Sequence, residues 1–232
     1  MIDKFVRSMA EAMNDIRDGS TILMAGFGEV GAPHALLQGL IEQGATDLTI
    51  VINSTGRVHR PGQPVTGLAR LIEQRRVRKV ITSFLRSQSI AGAAVRDGRM
   101  EAEVVPQGTL AERIRAAGAG VPAFFTPTGA GTLVAEGKEV REYGGRPCVL
   151  ELALPGDVAL VEAWMADRWG NLTYRDSSRN FNPIMAMAGA LTIVQTHHVC
   201  DLGQLPANEI ITPGIFVDRV LHVQAGDPVL PR

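Results

Sequence analysis

Three closely spaced glycines near the start of the chain are the residues best suited to hold a ligand by their backbone. An apolar run, Ile22–Ala25, leads into Gly26 and Gly28, and Gly31 stands three residues further on. Glycine lets the backbone approach a ligand closely because it has no Cβ. The helix-like segment Pro33–Gln43 follows, and the free amides of a helix start suit a phosphate, a carboxylate or a developing oxyanion. The pattern predicts a strand, a glycine turn and a helix, with a ligand site at the turn.

The same glycines match the G-x-G-x-x-G spacing of dinucleotide-binding proteins. In those proteins an acidic residue about 20 positions further on, at the end of the second strand, binds the ribose hydroxyls. Here the second apolar run, Leu48–Ile52, ends in Asn53-Ser54-Thr55-Gly56 and has no carboxylate there. The sequence therefore argues against a nicotinamide or flavin site. A tight strand-to-helix turn that binds nothing remains the structural alternative.

Two polar side chains stand where a ligand at the ends of the strands would meet them. Glu29 lies inside the glycine turn, where either a ligand contact or a hydrogen bond within the turn would explain it. Gln107 follows the strand-like Glu103–Val105, and its amide offers both a donor and an acceptor, although capping of the local backbone is an equal alternative. The chain has neither a G-x-S-x-G elbow nor a reactive cysteine motif, so the sequence supplies no nucleophile beside them.

Three further segments combine residues that are unusual in a plain scaffold. Gly118–Gly131 is rich in glycine and proline, has little helix or strand propensity, and predicts a long ordered loop. The segment Arg179–Asn182 mixes polar groups with an aromatic ring, which favours a helix cap with a packed ring over a ligand contact. His197 and His198 are adjacent and would face opposite sides of a strand, so the five histidines predict no metal site.

Short apolar runs alternate with helix-like segments along most of the chain. The predicted strands are Thr21–Ala25, Leu48–Ile52, Lys79–Thr82, Glu103–Val105, Val149–Glu151, Val158–Ala163 and Leu191–Thr196. The predicted helices are Ser8–Ile16, Pro33–Gln43, Ala69–Glu73, Leu110–Ala117 and Asn182–Ala188. Continuous apolar strands between helices are typical of a parallel sheet covered on both faces. We therefore expect an α/β fold with a single open, mostly parallel sheet and flanking helices.

The composition fits one α/β domain that spans residues 1–232, with a net charge of −1. The 23 Lys and Arg residues are spread out, which argues against a nucleic-acid partner, and no apolar run is long enough to cross a membrane. The start of the chain does not resemble a signal segment, and Cys148 and Cys200 stand alone as buried thiols, so we expect a cytoplasmic protein without disulfides. The sequence also predicts an exposed loop over Arg57–Thr66 and a loosely ordered tail from Ala225 onward.

A set of motifs along the chain matches one known family. Its signature is Asp-Gly, two residues, three apolar residues, Gly-Gly-Phe, three residues and Gly-x-Pro, which is met by Asp18-Gly19, Ile22–Met24, Gly26-Phe27, Gly31 and Pro33. Further matching blocks are Pro106–Arg115, Gly120–Gly129, Glu136–Glu142, Ala166–Arg175, Arg179–Pro183 and Thr212–Arg219. From about Met1 to Val223 the chain thus resembles the A (alpha) subunit of the two-subunit 3-oxoacid CoA-transferases.

This resemblance implies an open α/β sheet of the CoA-transferase type and half of an active site. The family works by a ping-pong cycle through a glutamyl-CoA thioester, and the glutamate belongs to the B (beta) subunit, in a Ser-Glu-Asn-Gly motif. This chain contains no Glu-Asn-Gly. The resemblance therefore implies that the partner is a beta subunit, in an A2B2 assembly. It implies no cofactor, because the CoA thioester is itself a substrate.

The resemblance also assigns roles to residues of this chain. Met24–Val30, which comprises Met24, Ala25, Gly26, Phe27, Gly28, Glu29 and Val30, would be the CoA-binding segment, with backbone amides that hold a phosphate or an acyl oxygen. Asn53, Gln107 and Gly108 would line the acid pocket, and the two amides would orient the carboxylate or keto oxygen. Ser83-Phe84 and Asp167–Arg175 are similar to members that act on 3-oxoadipate with succinyl-CoA as donor.

Several positions depart from the family pattern. Ala25 replaces a glycine, which predicts a small shift unless that backbone needs a positive φ. Asn53-Ser54-Thr55-Gly56 replaces the usual Asn-Asn-Ala-Gly, Asp176 stands where lysine is common, and Arg86 and Gly62–Thr66 also differ. Acetoacetate or another short acid therefore remains open as the substrate. A small-molecule effector-binding module and a sugar-phosphate isomerase are more distant alternatives, and the isomerase would need an acid/base pair that the residues do not supply.

Overall fold

The structure, a computed structural model, describes residues 2–56, 58, 62 and 64–223. Most of the predicted loop Arg57–Thr66 and the whole tail from Ala225 onward lie outside the described residues. The helices are α1 (Met9–Met13), α2 (His34–Gln43), α3 (Gly67–Glu73), α4 (Ile90–Arg96), α5 (Gln107–Gly118) and α6 (Asn182–Ala188). The strands are β1 (Thr21–Met24), β2 (Leu48–Ser54), β3 (Val77–Phe84), β4 (Glu101–Val104), β5 (Ala123–Thr126), β6 (Val140–Tyr143), β7 (Arg146–Leu152), β8 (Gly156–Asp167), β9 (Leu172–Thr173), β10 (Gly189–Cys200) and β11 (Arg219–His222).

The main sheet is open and mostly parallel, as the sequence predicts. Its strand order is β11-β10-β8-β1-β2-β3-β4, and each neighbouring pair along this order is parallel. The short strand β9 pairs antiparallel with β8. The chain moves outward from β1 to β4 on one side and later returns to β8 on the other side of β1. The boundary between β1 and β8 is therefore the point at which the direction of winding changes.

Helices cover both faces of this sheet and give it two apolar cores. One core contains side chains from α1, α2, α3 and α4, and the other contains side chains from α5 and α6. Neighbouring strand residues alternate between them: Ile22 and Met24 lie in the first core, Leu23 and Ala25 in the second. Burial on both faces explains why the strands are continuously apolar. No helix in the described ranges is long and apolar enough to span a bilayer.

A second, smaller sheet adds to the single sheet that the sequence predicts. It is antiparallel, with the order β5-β7-β6. The prediction of a long loop over Gly118–Gly131 is wrong at Ala123–Thr126, which forms β5, and Val149–Glu151 is only the centre of a longer strand, β7. Phe124 pairs with Glu151, so β5 is stabilised by a partner distant in the chain. Such non-local pairing outweighs the weak local propensity of a segment rich in glycine and proline.

Charged side chains join the small sheet to α5. The guanidinium of Arg113 contacts Glu103 Oε1 on β4 over 2.7 Å and donates to the Leu152 carbonyl on β7 over 2.9 Å. Glu151, 2% exposed, accepts from Lys138 Nζ over 2.7 Å and lies 3.9 Å from Arg113 Nε. Although burial opposes it, hydrogen bonds from Lys79 and Arg113 hold the pKa of Glu103 below its ordinary value. The network compensates these carboxylates and fixes the small sheet against the helix.

Candidate functional site

The carboxyl ends of the parallel strands meet at one edge of the main sheet, and the predicted site residues gather there. β1 ends at Met24 and continues into the glycine turn, here Gly26–Gly31. Asn53 lies near the end of β2, and Gln107 and Gly108 follow β4. Ligands of open α/β sheets bind outside the carboxyl ends of the strands, at the point where the winding reverses. The glycine turn, between β1 and β8, occupies that position.

The glycine turn is closed by its own backbone. The N–H of Phe27 donates to the carbonyl of Val30 over 3.0 Å, and the N–H of Val30 donates to the carbonyl of Phe27 over 3.3 Å. Gly26, Gly28 and Gly31 have φ values of +110°, +64° and +65°. L side chains rarely adopt these conformations, so the three glycines are required by the path of the chain. Two of the amides in the predicted CoA-binding segment are thus already occupied within the turn.

The three glycines differ in the space around them. A Cβ on Gly26 would lie 2.9 Å from the Ala32 Cα, and a Cβ on Gly31 would lie 2.4 Å from the Ser178 carbonyl oxygen. A Cβ on Gly28 would have nothing within 4 Å. Among the described residues the Gly28 amide also has no hydrogen-bond partner. Gly26 and Gly31 therefore serve close packing, whereas Gly28 offers a free amide and open space for a ligand.

Ala25 and Asp176 are the departures from the family pattern that depend on backbone conformation. In the described part of the chain, the non-glycine residues with positive φ are Asp47, Arg75 and Asp176. Ala25 is not one of them, which confirms that alanine is accommodated there without backbone strain. Asp176 has φ +47°, a conformation that aspartate tolerates better than most residues.

Two asparagines at the start of α6 fix the glycine turn. Asn182, fully buried, donates from Nδ2 to the Gly31 carbonyl over 2.9 Å, and its Oδ1 accepts from the Glu162 backbone N–H over 2.7 Å. Asn180 donates from Nδ2 to the Val30 carbonyl over 3.0 Å. The buried ring of Phe181 confirms the packed ring predicted for Arg179–Asn182, but α6 has no side-chain cap, so the predicted cap is wrong. The hydrogen bonds of Asn182 also connect the turn directly to β8.

The start of α2 is closed by the protein itself, so the expectation of free amides there is wrong. Gln195, fully buried on β10, accepts from the backbone N–H groups of Ala35 and Leu36 over 2.9 and 3.2 Å. The His34 N–H donates to the Ala32 carbonyl over 2.9 Å. A side chain from a strand remote in sequence supplies the acceptors that a bound anion would otherwise provide. The ligand-binding potential of this region therefore lies in the turn rather than in the helix start.

The carboxylate of Glu162 lies beside the glycine turn and connects to Gln195 and His197. Its Oε2 accepts from Gln195 Nε2 over 3.3 Å, and its Oε1 lies 3.7 Å from His197 Nε2. This neighbouring carboxylate raises the pKa of His197, although burial opposes the shift. Sequence analysis missed Glu162 and Gln195. The signal that could have identified them is that each is the single long polar side chain in an apolar predicted strand, Val158–Ala163 or Leu191–Thr196.

A cavity of about 330 Å³ opens at this cluster. Its lining residues are Val30, Glu162, Trp164, Arg175, Asp176, Ser177, Ser178 and His197. The Arg175 guanidinium carbon lies 4.8 Å from the centre of the Trp164 ring. Because Val30 belongs to the glycine turn, the cavity adjoins the turn on the β8 side.

Glu29 reaches back towards α2. Its Oε2 lies 3.5 Å from Nε2 of His34, while about half of the Glu29 side chain remains exposed. The contact is to α2 and does not test a hydrogen bond within the turn, and His34 Nε2 has no hydrogen-bond partner among the described residues. The exposed half of the side chain is accessible to a ligand.

The predicted acid-pocket residues differ in burial. Asn53 is 3% exposed, and its Oδ1 accepts from Ser83 Oγ over 3.0 Å, which leaves its Nδ2 without a partner among the described residues. Gln107 and Gly108 are exposed at the start of α5. β4 lies three strands from β1, about 14 Å along the sheet. Asn53, one strand from β1, is therefore closer to the glycine turn than Gln107 is.

Within the described ranges, no group of three His, Cys, Asp or Glu side chains is arranged to hold a metal ion. Both cysteines are free thiols. Cys148 is buried as the sequence predicts, whereas Cys200 is only half-buried, which corrects that part of the prediction.

Comparisons with known proteins find relatives over nearly the whole chain. The family model described as coenzyme A transferase matches residues 6–222. The A (alpha) subunit of the 3-oxoadipate CoA-transferase of Pseudomonas putida is 53% identical over 225 residues, which cover 96% of this chain and 95% of the relative. The corresponding subunit of the succinyl-CoA:3-ketoacid coenzyme A transferase of Xanthomonas campestris pv. campestris is 42% identical over 218 residues, which cover 94% of this chain and 88% of that relative.

A solved structure shows the same fold. The acyl-CoA transferase YdiF of E. coli O157:H7, in a thioester complex with CoA, superimposes with a TM-score of 0.83 at 22% sequence identity. The match covers 99% of this chain but only 49% of that protein, so the present chain spans about half of its length. With the family match over nearly its whole length and two relatives of similar size, this chain belongs to the coenzyme A transferase family.

Proposed function

We propose that this chain is the alpha subunit of a two-subunit enzyme that moves CoA from succinyl-CoA to a 3-oxo acid, and that the acid is 3-oxoadipate. The observation that carries the proposal is the similarity, over nearly the whole chain, to the alpha subunit of a 3-oxoadipate CoA-transferase. The glycine turn supports it, because the Gly28 amide and the space beside it are open to a ligand at the expected edge of the sheet.

The proposed reaction is a covalent ping-pong cycle, a form of nucleophilic catalysis. A glutamate of the beta subunit uses its carboxylate to attack the thioester carbonyl of succinyl-CoA, which gives a mixed anhydride and releases CoA thiolate. The thiolate attacks the glutamyl carbonyl, which gives a glutamyl-CoA thioester and releases succinate. The 3-oxo acid then takes the same two steps in reverse and leaves as its CoA thioester. These steps balance without an oxidant, a metal or a prosthetic group.

In this proposal the nucleophile comes from the other chain because this chain has no Glu-Asn-Gly motif. Glu29 lies against His34, and Glu162 is shared between Gln195 and His197. Large apolar side chains at or beside the carboxyl ends of β1, β3 and β4 are about half exposed: Phe27, Val30, Phe84 and Val104. Several large exposed apolar side chains at one edge are typical of a protein interface. We place the beta subunit over this edge, in a cytoplasmic A2B2 assembly.

The contribution of this chain is to hold the reacting oxygens. The free amide of Gly28 would donate to the oxyanion that forms when the thioester or the anhydride is attacked, a contact worth about 3 kcal/mol of barrier. Asn53 Nδ2 would hold the acid from the floor of the site, and Gln107 would hold it from the rim. CoA would lie along Met24–Val30.

Acetoacetate is the second candidate substrate, and the similarity to a succinyl-CoA:3-ketoacid transferase favours it. The two candidates are separated by kcat/KM for 3-oxoadipate and for acetoacetate, measured with succinyl-CoA and this chain co-expressed with its beta subunit. We expect at least a tenfold preference for 3-oxoadipate, about 1.4 kcal/mol in transition-state binding. A reversed preference would replace the substrate, and a pair inactive on both acids would overturn the proposed function.

A further inference from the structure

Thr55 carries a buried hydroxyl without a hydrogen bond. The residue follows β2 and is 5% exposed. Its backbone N–H donates to the Phe84 carbonyl over 3.2 Å, which fixes the end of β2 to the end of β3. Its Oγ1 is closed off from solvent and has no hydrogen-bond partner among the described residues.

Other buried threonines of the sheet show how such a group is ordinarily satisfied. Thr82 Oγ1 donates to the Asn53 carbonyl over 3.1 Å, and Thr192 Oγ1 donates to the Ala186 carbonyl over 2.8 Å. Most buried polar side chains in proteins have a partner, because an unpaired buried hydroxyl loses its hydration without compensation. The Thr55 hydroxyl is therefore a destabilising group in the unliganded protein, and an acceptor from a ligand would satisfy it.

The position of Thr55 relative to the glycine turn follows from the order of the strands. Thr55 directly follows β2, which lies next to β1 in the sheet, and β1 leads into the glycine turn. Adjacent strands are about 4.8 Å apart, so Thr55 and the glycine turn follow the carboxyl ends of two neighbouring strands. The two-residue period of a strand places Asn53 and Thr55 on the same face as Val51. Thr55 thus shares the face of Asn53, a residue of the predicted acid pocket, at the edge of the sheet where the glycine turn lies.

We propose that the Thr55 hydroxyl donates a hydrogen bond to the 3-keto oxygen of the acid and thereby selects 3-oxo acids over acids that lack it. The inference rests on the proposed function and deepens it. The keto carbon of a 3-oxo acid is separated from the carboxyl carbon by one methylene, so a carboxyl group at the turn brings the keto oxygen within reach of the adjacent strand. A neutral hydroxyl suits a neutral carbonyl oxygen, whereas the charged carboxylate suits the backbone amide at Gly28.

The test compares Thr55→Val, which removes the hydroxyl at nearly constant shape, with Thr55→Ser, which keeps it. Both are assayed as the assembled pair with the beta subunit, on 3-oxoadipate and on adipate, which differ only in the keto group. We expect Thr55→Val to lower kcat/KM for 3-oxoadipate by about tenfold or more and to change that for adipate by less than about twofold. Thr55→Ser is expected to restore the preference for the keto acid.

Thermal unfolding of the substrate-free pair gives a second test. If the Thr55 hydroxyl had a structural role, its removal would lower the Tm. Removal of an unpaired buried hydroxyl is expected to raise the Tm of Thr55→Val by about 2–4 °C. Thr192→Val is the matched control, because its hydroxyl is paired to a backbone carbonyl remote from the turn. This control is expected to lower the Tm and to leave the preference between the two acids unchanged.

An equal loss on both acids, or a Tm that falls in Thr55→Val as it does in Thr192→Val, overturns the role of Thr55. If the wild-type pair accepts acetoacetate instead, acetoacetate and butyrate provide the same comparison. A wild-type pair inactive on every 3-oxo acid overturns the proposed function and this role with it. An active wild-type pair whose selectivity survives in Thr55→Val overturns the role of Thr55 alone.

Discussion

At the scale of single residues, Gly28 combines two properties that its neighbours in the turn do not share. Its φ of +64° excludes most side chains, and its surroundings are empty within 4 Å of a built Cβ. Gly26 and Gly31 have the first property but are enclosed by Ala32 and Ser178. A side chain at Gly28 would both strain the backbone and block a ligand. The same substitution at a matched glycine away from the turn measures the strain alone.

Gly98 provides that match, because its φ is +66° and a Cβ on it also meets nothing within 4 Å. It follows α4, at the opposite edge of the sheet. We expect Gly28→Ala and Gly98→Ala to lose about 1 kcal/mol of stability each from the positive φ. Only Gly28→Ala should raise the KM for succinyl-CoA or lower kcat in the assembled pair, by about tenfold. Equal kinetics in the two variants would show that the turn is only structural.

The pair of His197 and Glu162 predicts a pH dependence. The carboxylate raises the pKa of His197 in the folded protein. The stability that this pair gives the folded protein is therefore fully present below the unfolded histidine pKa of about 6.5. It is lost as the pH rises through the raised pKa of His197 in the folded protein. We expect Glu162→Gln to lower the pKa of His197. We also expect this variant to lose more stability near about pH 6 than near about pH 9.

The measurement is an NMR titration of His197 together with urea unfolding of the assembled pair at both pH values. In a His197→Gln background, the loss of stability caused by Glu162→Gln should no longer depend on pH. An unchanged His197 titration in Glu162→Gln would show that the carboxylate 3.7 Å away does not stabilise the imidazolium.

Sequence reasoning placed residues at this edge but could not assign their hydrogen bonds. Asn53 and Gln107 follow strands, and the ends of parallel strands share one edge, so their general location could be predicted. Nothing in the sequence indicates that Ser83 occupies Asn53 Oδ1, or that Gln195 closes the start of α2. These bonds join residues far apart in the chain, and their geometry depends on how strands are ordered in the finished sheet.

At the scale of secondary structure, elements fixed by local pattern could be predicted, and those fixed by distant partners could not. The parallel strands are recognisable because burial on both faces makes them continuously apolar. The small sheet was missed because β5 depends on pairing with β7, and β6 on pairing with the same strand. α4 was missed because its seven residues, Ile90–Arg96, are mostly small and offer little apolar periodicity. Its clearest signal is the N-cap Ser89, whose Oγ accepts from the Gly92 N–H over 3.1 Å.

The contact of the small sheet with α5 predicts a large effect at Arg113. Arg113→Met keeps the apolar volume but removes the cation between Glu103 and Glu151, which is 2% exposed. Breaking a buried ion pair on one side costs about 3 kcal/mol, because a charge remains without compensation. Urea unfolding should show this loss, and hydrogen exchange should speed up in β7 first.

Two further variants control this prediction. Arg113→Met combined with Glu151→Gln should recover part of the loss, because the second change removes a charge that the first left uncompensated. Arg115→Met, which breaks the exposed pair with Glu112 on the same helix, should leave the unfolding midpoint unchanged. If Arg113→Met were as mild as Arg115→Met, the network would not anchor the small sheet.

At the scale of the whole molecule, the reversal of winding between β1 and β8 explains why the candidate site lies at one edge of the sheet. Two loops leave the sheet there, and Asn182 fastens the turn after β1 to β8. The edge offers amides, a hydroxyl and carboxamides, but the carboxylates beside the turn already have contacts. Its apolar residues are about half exposed. Both features are expected of the proposed site, which a beta subunit would complete.

The central claim is that this chain supplies only half of an active site, and the most direct test is the rate of CoA transfer from succinyl-CoA to a 3-oxo acid. The rate is measured for this chain alone, for the beta subunit on its own and for the co-expressed pair, with 3-oxoadipate and acetoacetate in parallel. The account predicts transfer by the pair and none by either chain alone. Full activity from this chain alone would contradict it and would require a carboxylate nucleophile among its own residues, for which Glu29 would be the first to replace.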